Sequence, residues 1–154
     1  MTVAWRLVKS RNAAAAFDGE GARREGGRWN PKGVPAVYLS DHPALAALEV
    51  FVHLKGAATK IRFSLFRVEI PAGVAVLELA VGDLLPGWRT EPPTPRTMAI
   101  GEKWAEEGKA AVLKVPSVLV PAAANLVLNP RHPDFAKIRT GAAVEFSFDP
   151  RMWK

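Results

Sequence analysis

Residues 26–49 read GGRWNPKGVPAVYLSDHPALAALE. Gly26-Gly27-Arg28-Trp29-Asn30 is a loop, and Asn30-Pro31-Lys32-Gly33 closes it as a turn. Ala36 to Ser40 is a short apolar strand carrying Tyr38. Ser40 or Asp41 then caps a helix with Pro43 in its first turn and Gly56 at its end. Leu45, Leu48 and Val52, three and four apart, predict the buried stripe of that helix. Glu49 borders the stripe, four after Leu45 and three before Val52. Strand and helix do not recur in the regular alternation of a doubly wound sheet, so the fold class is read as α+β.

The flanking sequence supports that class. Upstream, Val3, Trp5 and Leu7 alternate as a first strand, with Arg6 on the opposite face. Residues 10 to 33 hold an alanine run and then the glycine- and arginine-rich loop. Downstream, Ile61, Phe63 and Leu65 alternate, then Phe66, Val68 and Ile70. That slip of phase predicts either a bulge or a strand buried on both faces. Val74 to Leu79 reads as another strand, and Gly82 to Pro95 as a turn-rich segment. Thr94 and Pro95 open an amphipathic helix that stops at Gly108. Further strands are expected at Ala111 to Val115, Val118 to Val120, Leu126 to Leu128 and Val144 to Phe148, punctuated by prolines. His132-Pro133-Asp134-Phe135 starts a single helical turn.

The 154-residue chain is read as one domain over residues 1–154, able to bury about 70% of its unfolded surface. A hydrophobic fraction of 49% belongs to a globular protein. With no cysteine, disulfides, thiolate nucleophiles and Cys-ligated zinc are excluded. His42, His53 and His132 are not spaced as a metal motif, so no metal is expected. The first residues lack the apolar core of a signal peptide and no run approaches a membrane span. The expectation is a soluble, cytoplasmic protein without membrane contact. A net charge of +6 attracts polyanions. Arg23-Arg24-Glu25 leads into Arg28 and Lys32, which favours a small anionic ligand over a nucleic-acid groove.

The chemistry rests on a constellation, because no Walker loop, dinucleotide fingerprint or hydrolase elbow is present. Arg28 between small residues fits a phosphate clamp, and equally a surface turn. Tyr38, the only tyrosine, fits a stacking platform or a core aromatic. Glu49 is a carboxylate at a reacting centre, a solvated helix edge or a buried partner of arginine. Ser117, after Pro116, is most simply a turn residue. His132 caps its own helical turn, and His53 flanks Glu49 at i+4.

In order along the chain stand Arg6 in strand one, Gly-Gly-Arg-Trp-Asn, Val-Tyr-Leu-Ser, Leu-Glu-Val, Val-Pro-Ser and Asn129-Pro130-Arg131-His132-Pro133. This succession, from Trp5 to about Phe148, resembles the RES-domain family. The resemblance implies the toxin of a bacterial toxin–antitoxin pair, with an ADP-ribosyltransferase-like core, acting on NAD as substrate without a further cofactor. The family's functional positions fall on Arg6, Arg28, Tyr38, Glu49 and Ser117. In that reading Glu49 stabilises an oxocarbenium-like transition state. Arg28 holds the pyrophosphate with Arg6 beside it, Tyr38 stacks on nicotinamide, and Ser117 bonds a ribose or phosphate oxygen. The implied partner is an antitoxin with a helix-turn-helix DNA-binding part, covering the cleft bounded by Arg28 and Glu49. The competing reading is a basic nucleic-acid-binding module or ribonuclease with His132 or His53 as base.

Overall fold

The computed structural model describes residues 1–55 and 60–153. In chain order it comprises β1 (Thr2–Lys9), a 3₁₀ segment (Ser10–Ala15), α1 (Glu20–Glu25), β2 (Val37–Ser40) and α2 (Pro43–Phe51). There follow β3 (Phe63–Ile70), β4 (Val76–Glu78), a 3₁₀ turn (Val81–Asp83), α3 (Pro95–Glu107), β5 (Val112–Pro116) and β6 (Ala124–Leu128). A 3₁₀ turn (Pro133–Lys137), β7 (Arg139–Thr140), β8 (Val144–Phe146) and a last 3₁₀ turn (Pro150–Trp153) complete it.

The eight strands form one sheet in the order β4-β5-β6-β2-β1-β3-β7, with β8 also on β3. Among the described residues only β4 and β5 pair in parallel. This is the α+β arrangement that the irregular strand and helix order predicts. β1 and β3 match without interruption from Thr2↔Ile70 to Lys9↔Phe63, whereas β1 meets β2 at the single pair Trp5↔Ser40. The sheet therefore parts between β1 and β2. That parting makes the site.

Alternation along the strands sorts side chains onto two faces. Ala4, Val37, Leu39, Val68, Ile70, Leu126 and Leu128 build one core, capped by Phe17, Phe135 and Ile138. The other face carries two cores. One gathers Trp29, Trp88, Trp104, Leu113, Val115 and Val127; the other gathers Leu7, Ala46, Phe63 and Phe148 with Trp5, Val50 and Phe51. The phase slip in β3 follows from this division. Phe63 and Leu65 pack on one face, while Phe66, Val68 and Ile70 supply the other. The unbroken register means that no bulge is needed.

Several local expectations shift. His42, not Ser40 or Asp41, caps α2: its Nδ1 accepts from the Ala44 amide at 3.1 Å. Asp41 instead accepts from the Ala124 amide, and Ser40 donates to Asn125. Leu45 and Ala46 are the buried residues of α2, with Ala47, Val50 and Phe51 packed alongside, while Leu48 and Val52 are exposed. The expected stop at Gly56 lies outside the described residues; α2 itself ends at Phe51. Val118 to Val120 forms no strand; this loop turns back on Ser117. The alanine run and the Glu20–Glu25 segment are helical turns rather than loop. α3 begins at Pro95 and is capped by Gly108 in the left-handed region, as the sequence predicts.

Candidate active site

Glu49 stands on α2 beside the sheet, half-buried. Its Oε1 accepts from Ser117 Oγ at 2.7 Å and from Asn125 Nδ2 at 2.8 Å. Both donors are themselves fixed. Ser117 Oγ accepts from the Leu119 and Val120 amides, each at 3.1 Å. With two amides pointing at its oxygen, the hydroxyl has only its own proton to offer, and that proton goes to Glu49. Asn125 is aligned by Ser40 Oγ, which donates to Asn125 Oδ1 at 2.9 Å, and the two residues are register partners across β2 and β6. Among the described residues the hydrogen bonds fall on Oε1, and Oε2 has no protein partner.

Arg6 reaches the same place from β1. Where β1 and β2 separate, its guanidinium takes over the bonding that a ladder would supply. Nε donates to the Ala16 carbonyl at 2.6 Å and Nη1 to the Tyr38 carbonyl at 2.8 Å. Burial pushes Arg6 down to about 10, against the opposing pull of Asp18. It remains a cation at neutral pH. A cavity of about 530 Å³ is lined by Arg6, Glu49, Ala36, His53 and the 3₁₀ and α1 segments, so a cation and a carboxylate face one cleft.

Tyr38 holds the neighbouring loop. Its hydroxyl donates to Asn30 Oδ1 at 2.6 Å and accepts from the Trp29 amide at 3.1 Å. Burial raises the phenol above its ordinary value, opposed by the Trp29 hydrogen bond and the charge of Arg28. Asn30 is buried and spends its Nδ2 on the carbonyls of Ala22, Pro31 and Val34. The loop glycine matters here: a Cβ on Gly27 would lie 2.7 Å from the Tyr38 hydroxyl. Arg28 sits apart from the Arg6–Glu49 cavity. It donates to the carbonyls of Trp88 and Thr90 and pairs with Glu91 at 2.8 Å.

The five residues expected at the site therefore divide. Arg6 and Glu49 share a cavity, Ser117 touches Glu49, Tyr38 is joined to Arg6 through its carbonyl, and Arg28 belongs to a loop contact. Asn125, Asn30 and Ser40 escape the sequence reading as site residues. A signal for Asn125 exists: it is the polar residue in an otherwise apolar strand, and Ser40 ends the strand it pairs with. His132 caps its own turn as expected, with Nδ1 accepting from the Asp134 amide and Nε2 on the Gly108 carbonyl. No helix among the described residues is long and apolar enough to cross a membrane.

Comparison with known proteins places this geometry in a family. The chain is 41% identical over 149 residues to a protein named Toxin Res from Yersinia enterocolitica, covering 96% of this chain and 97% of that one. It is 40% identical to the Prs ADP-ribosylating toxin of a Sphingobium species, over 96% of this chain and 94% of the relative. It is 35% identical to the NAD(+) phosphorylase MbcT of Mycobacterium bovis, over 82% of this chain and 73% of the relative. A solved M. tuberculosis MbcT–MbcA toxin–antitoxin complex contains a chain that superposes with a TM-score of 0.78 at 22% identity, covering 95% of this chain and 84% of that one. At that identity the likeness speaks to the fold, and it bears out the fold expected from the resemblance. The RES-domain model matches residues 3–149, and the chain belongs to the RES-domain family.

Proposed function

We propose that this protein is the toxin of a toxin–antitoxin pair and cleaves NAD between nicotinamide and ribose. The observation that carries the reading is the Glu49 carboxylate, held on one oxygen by Ser117 and Asn125, in a cavity it shares with Arg6. Departure of nicotinamide leaves positive charge on the ribose. A carboxylate already fixed in place stabilises that charge without reorganising during the reaction. Oε2, which no described residue engages, is the oxygen that faces the substrate. Ser117 and Asn125 act as positioning residues, since their donors are committed to Glu49. Arg6 stands beside the pyrophosphate, and Tyr38, whose hydroxyl is spent on Asn30 and Trp29, offers only its ring to nicotinamide.

Arg28 has a conditional role. Its partner Glu91 has a 70% exposed side chain, so the pair is weak and a phosphate can replace it. The guanidinium fork suits such an exchange, because it meets phosphate bidentately as it meets carboxylate. The relatives carry the names ADP-ribosylating toxin and NAD(+) phosphorylase, which supports NAD as the substrate here. The acceptor that takes the ADP-ribosyl group sets the class: water gives hydrolysis, phosphate phosphorolysis, and a protein side chain ADP-ribosylation. An enzyme of this kind acts on the cytoplasmic NAD pool and needs inhibition in trans. The complex of the structural relative MbcT with MbcA supports an antitoxin as the inhibitor. We assign to it a helix-turn-helix part and a segment that covers the cleft.

Incubation of the purified protein with NAD, with NAD plus phosphate, and with RNA tests the reading. Nicotinamide release with intact RNA is the expected result. RNA shortening with intact NAD overturns it in favour of a nuclease. His132 argues against that outcome, since both ring nitrogens are engaged by backbone groups.

A further inference from the structure

Alternation puts Ser40, the last residue of β2, on the same face as Tyr38 and away from Val37 and Leu39. Ser40 is buried where three strands meet, in register with Trp5 of β1 and with Asn125 of β6. Two hydrogen bonds run in series from it. Ser40 Oγ donates to Asn125 Oδ1 at 2.9 Å, and Asn125 Nδ2 donates to Glu49 Oε1 at 2.8 Å. An ionised carboxylate only accepts, so the amide turns its NH₂ to Glu49 and leaves its oxygen for the hydroxyl. Donation to Oδ1 also polarises the amide and strengthens Nδ2–H as a donor.

The strand pairing here does not depend on that hydroxyl. One residue on, the Asp41 amide donates to the Ala124 carbonyl at 3.0 Å, and Asp41 Oδ2 accepts from the Ala124 amide at 3.0 Å. This clamp, with the ladder from Val37↔Leu128 to Leu39↔Leu126, already holds β2 on β6. The Ser40 hydroxyl is thus left to act on the amide that holds Glu49. We propose that Ser40 is a positioning residue of the cleavage reaction, acting through Asn125 on Glu49. The proposal rests on the cleavage reading of Glu49. Ser117 grips Oε1 from a loop and Asn125 grips it from the sheet, so together they set the direction of Oε2. An amide without the Ser40 bond can turn away, and Oε2 is then misplaced in the transition state more than in substrate binding.

The test compares Ser40→Thr with Ser40→Val, which add the same bulk to a buried position and differ only in the hydroxyl. Each is made alone and on an Asn125→Ala background, and nicotinamide release is followed over a range of NAD concentrations. The valine variant is expected to have a kcat about 10-fold below the threonine variant, with KM within about 2-fold. That ratio should vanish on the Asn125→Ala background, because the hydroxyl then has nothing to orient. Equal kcat in the two single variants overturns the proposal. So does a ratio that persists without Asn125, the mark of a merely structural role. Ser40→Ala, compared with the parent, replaces the pair if neither larger side chain fits. NMR of the Asn125 side-chain amide needs no turnover: exchange-protected Nδ2 protons are expected with threonine and not with valine. A parent that releases no nicotinamide fails the cleavage reading itself. Identical amide spectra in the two variants show instead that Ser40 does not hold Asn125.

Discussion

Two donors converge on one oxygen of Glu49, and this separates its charge from its shape in a way that a substitution can exploit. In Glu49→Gln the side-chain amide oxygen can still accept from Ser117 and Asn125. Unfolding should therefore move little, while NAD cleavage should fall on the order of 10²-fold if the charge stabilises the transition state. Nicotinamide release by the variant at the parental rate would remove Glu49 from that role. Tyr38 offers a second test, because it is the only tyrosine and its ionisation can be followed by absorbance. Burial raises the folded phenol above the ordinary 10.0. The unfolded chain then loses its proton first. The stabilisation is complete below pH 10 and is lost as pH rises through the folded value, at about 1.4 kcal/mol per pH unit. Titration of the native protein should be displaced upward from titration in denaturant. Superimposed curves would mean that the phenol is solvated.

Elements are placed by close contacts that single residues permit. α3 buries Thr97, Gly101 and Trp104 along one stripe, and Gly101 lies against the backbone of the site loop. A Cβ there would stand 1.5 Å from the Trp29 carbonyl oxygen, so Gly101→Ala must push helix and loop apart. Overpacking of this kind typically costs about 1–3 kcal/mol. A lower urea midpoint is expected, along with slower NAD cleavage, since Trp29 carries an amide that Tyr38 accepts. An unchanged midpoint would show that the two backbones are not in contact. The helix itself is legible: proline at its start, glycine at its end and a periodic stripe are local signals. The stripe of α2 is less so. Leu45, Leu48 and Val52 satisfy helical spacing no better than Ala46, Ala47, Val50 and Phe51 do, and α2 meets the sheet through the second set. Periodicity states that a face exists, and the neighbour it packs against selects which one.

At the scale of the molecule, a sheet that parts between β1 and β2 provides a cleft, and a net charge of +6 provides a field around it. An antitoxin that presents carboxylates to the cleft would be drawn in electrostatically. Raised salt should slow its association more than it speeds its dissociation, which stopped-flow and dissociation measurements can separate. If the partner covers the cleft, NAD and antitoxin should exclude one another. Undiminished NAD affinity in the preformed complex would place the inhibitor elsewhere.

The sequence by itself determined the family, the α+β class, the places of β1, β2 and α3 in the chain, and the candidacy of Arg6, Glu49 and Ser117. Those features rest on local rules of alternation, capping and motif order, which act over a few residues and leave their trace in the chain. It also posed the phase slip in β3 without resolving it. Only the tertiary structure decided that this slip marks a strand shared by two cores, because the answer depends on what covers each face. Only the tertiary structure brought Asn125 to Glu49, across a separation of 76 residues. Tertiary contacts likewise engaged Arg28 with the loop around Glu91. Such contacts depend on where the sheet closes and where it parts. That is set by the summed packing of all its strands, which no single stretch of sequence encodes.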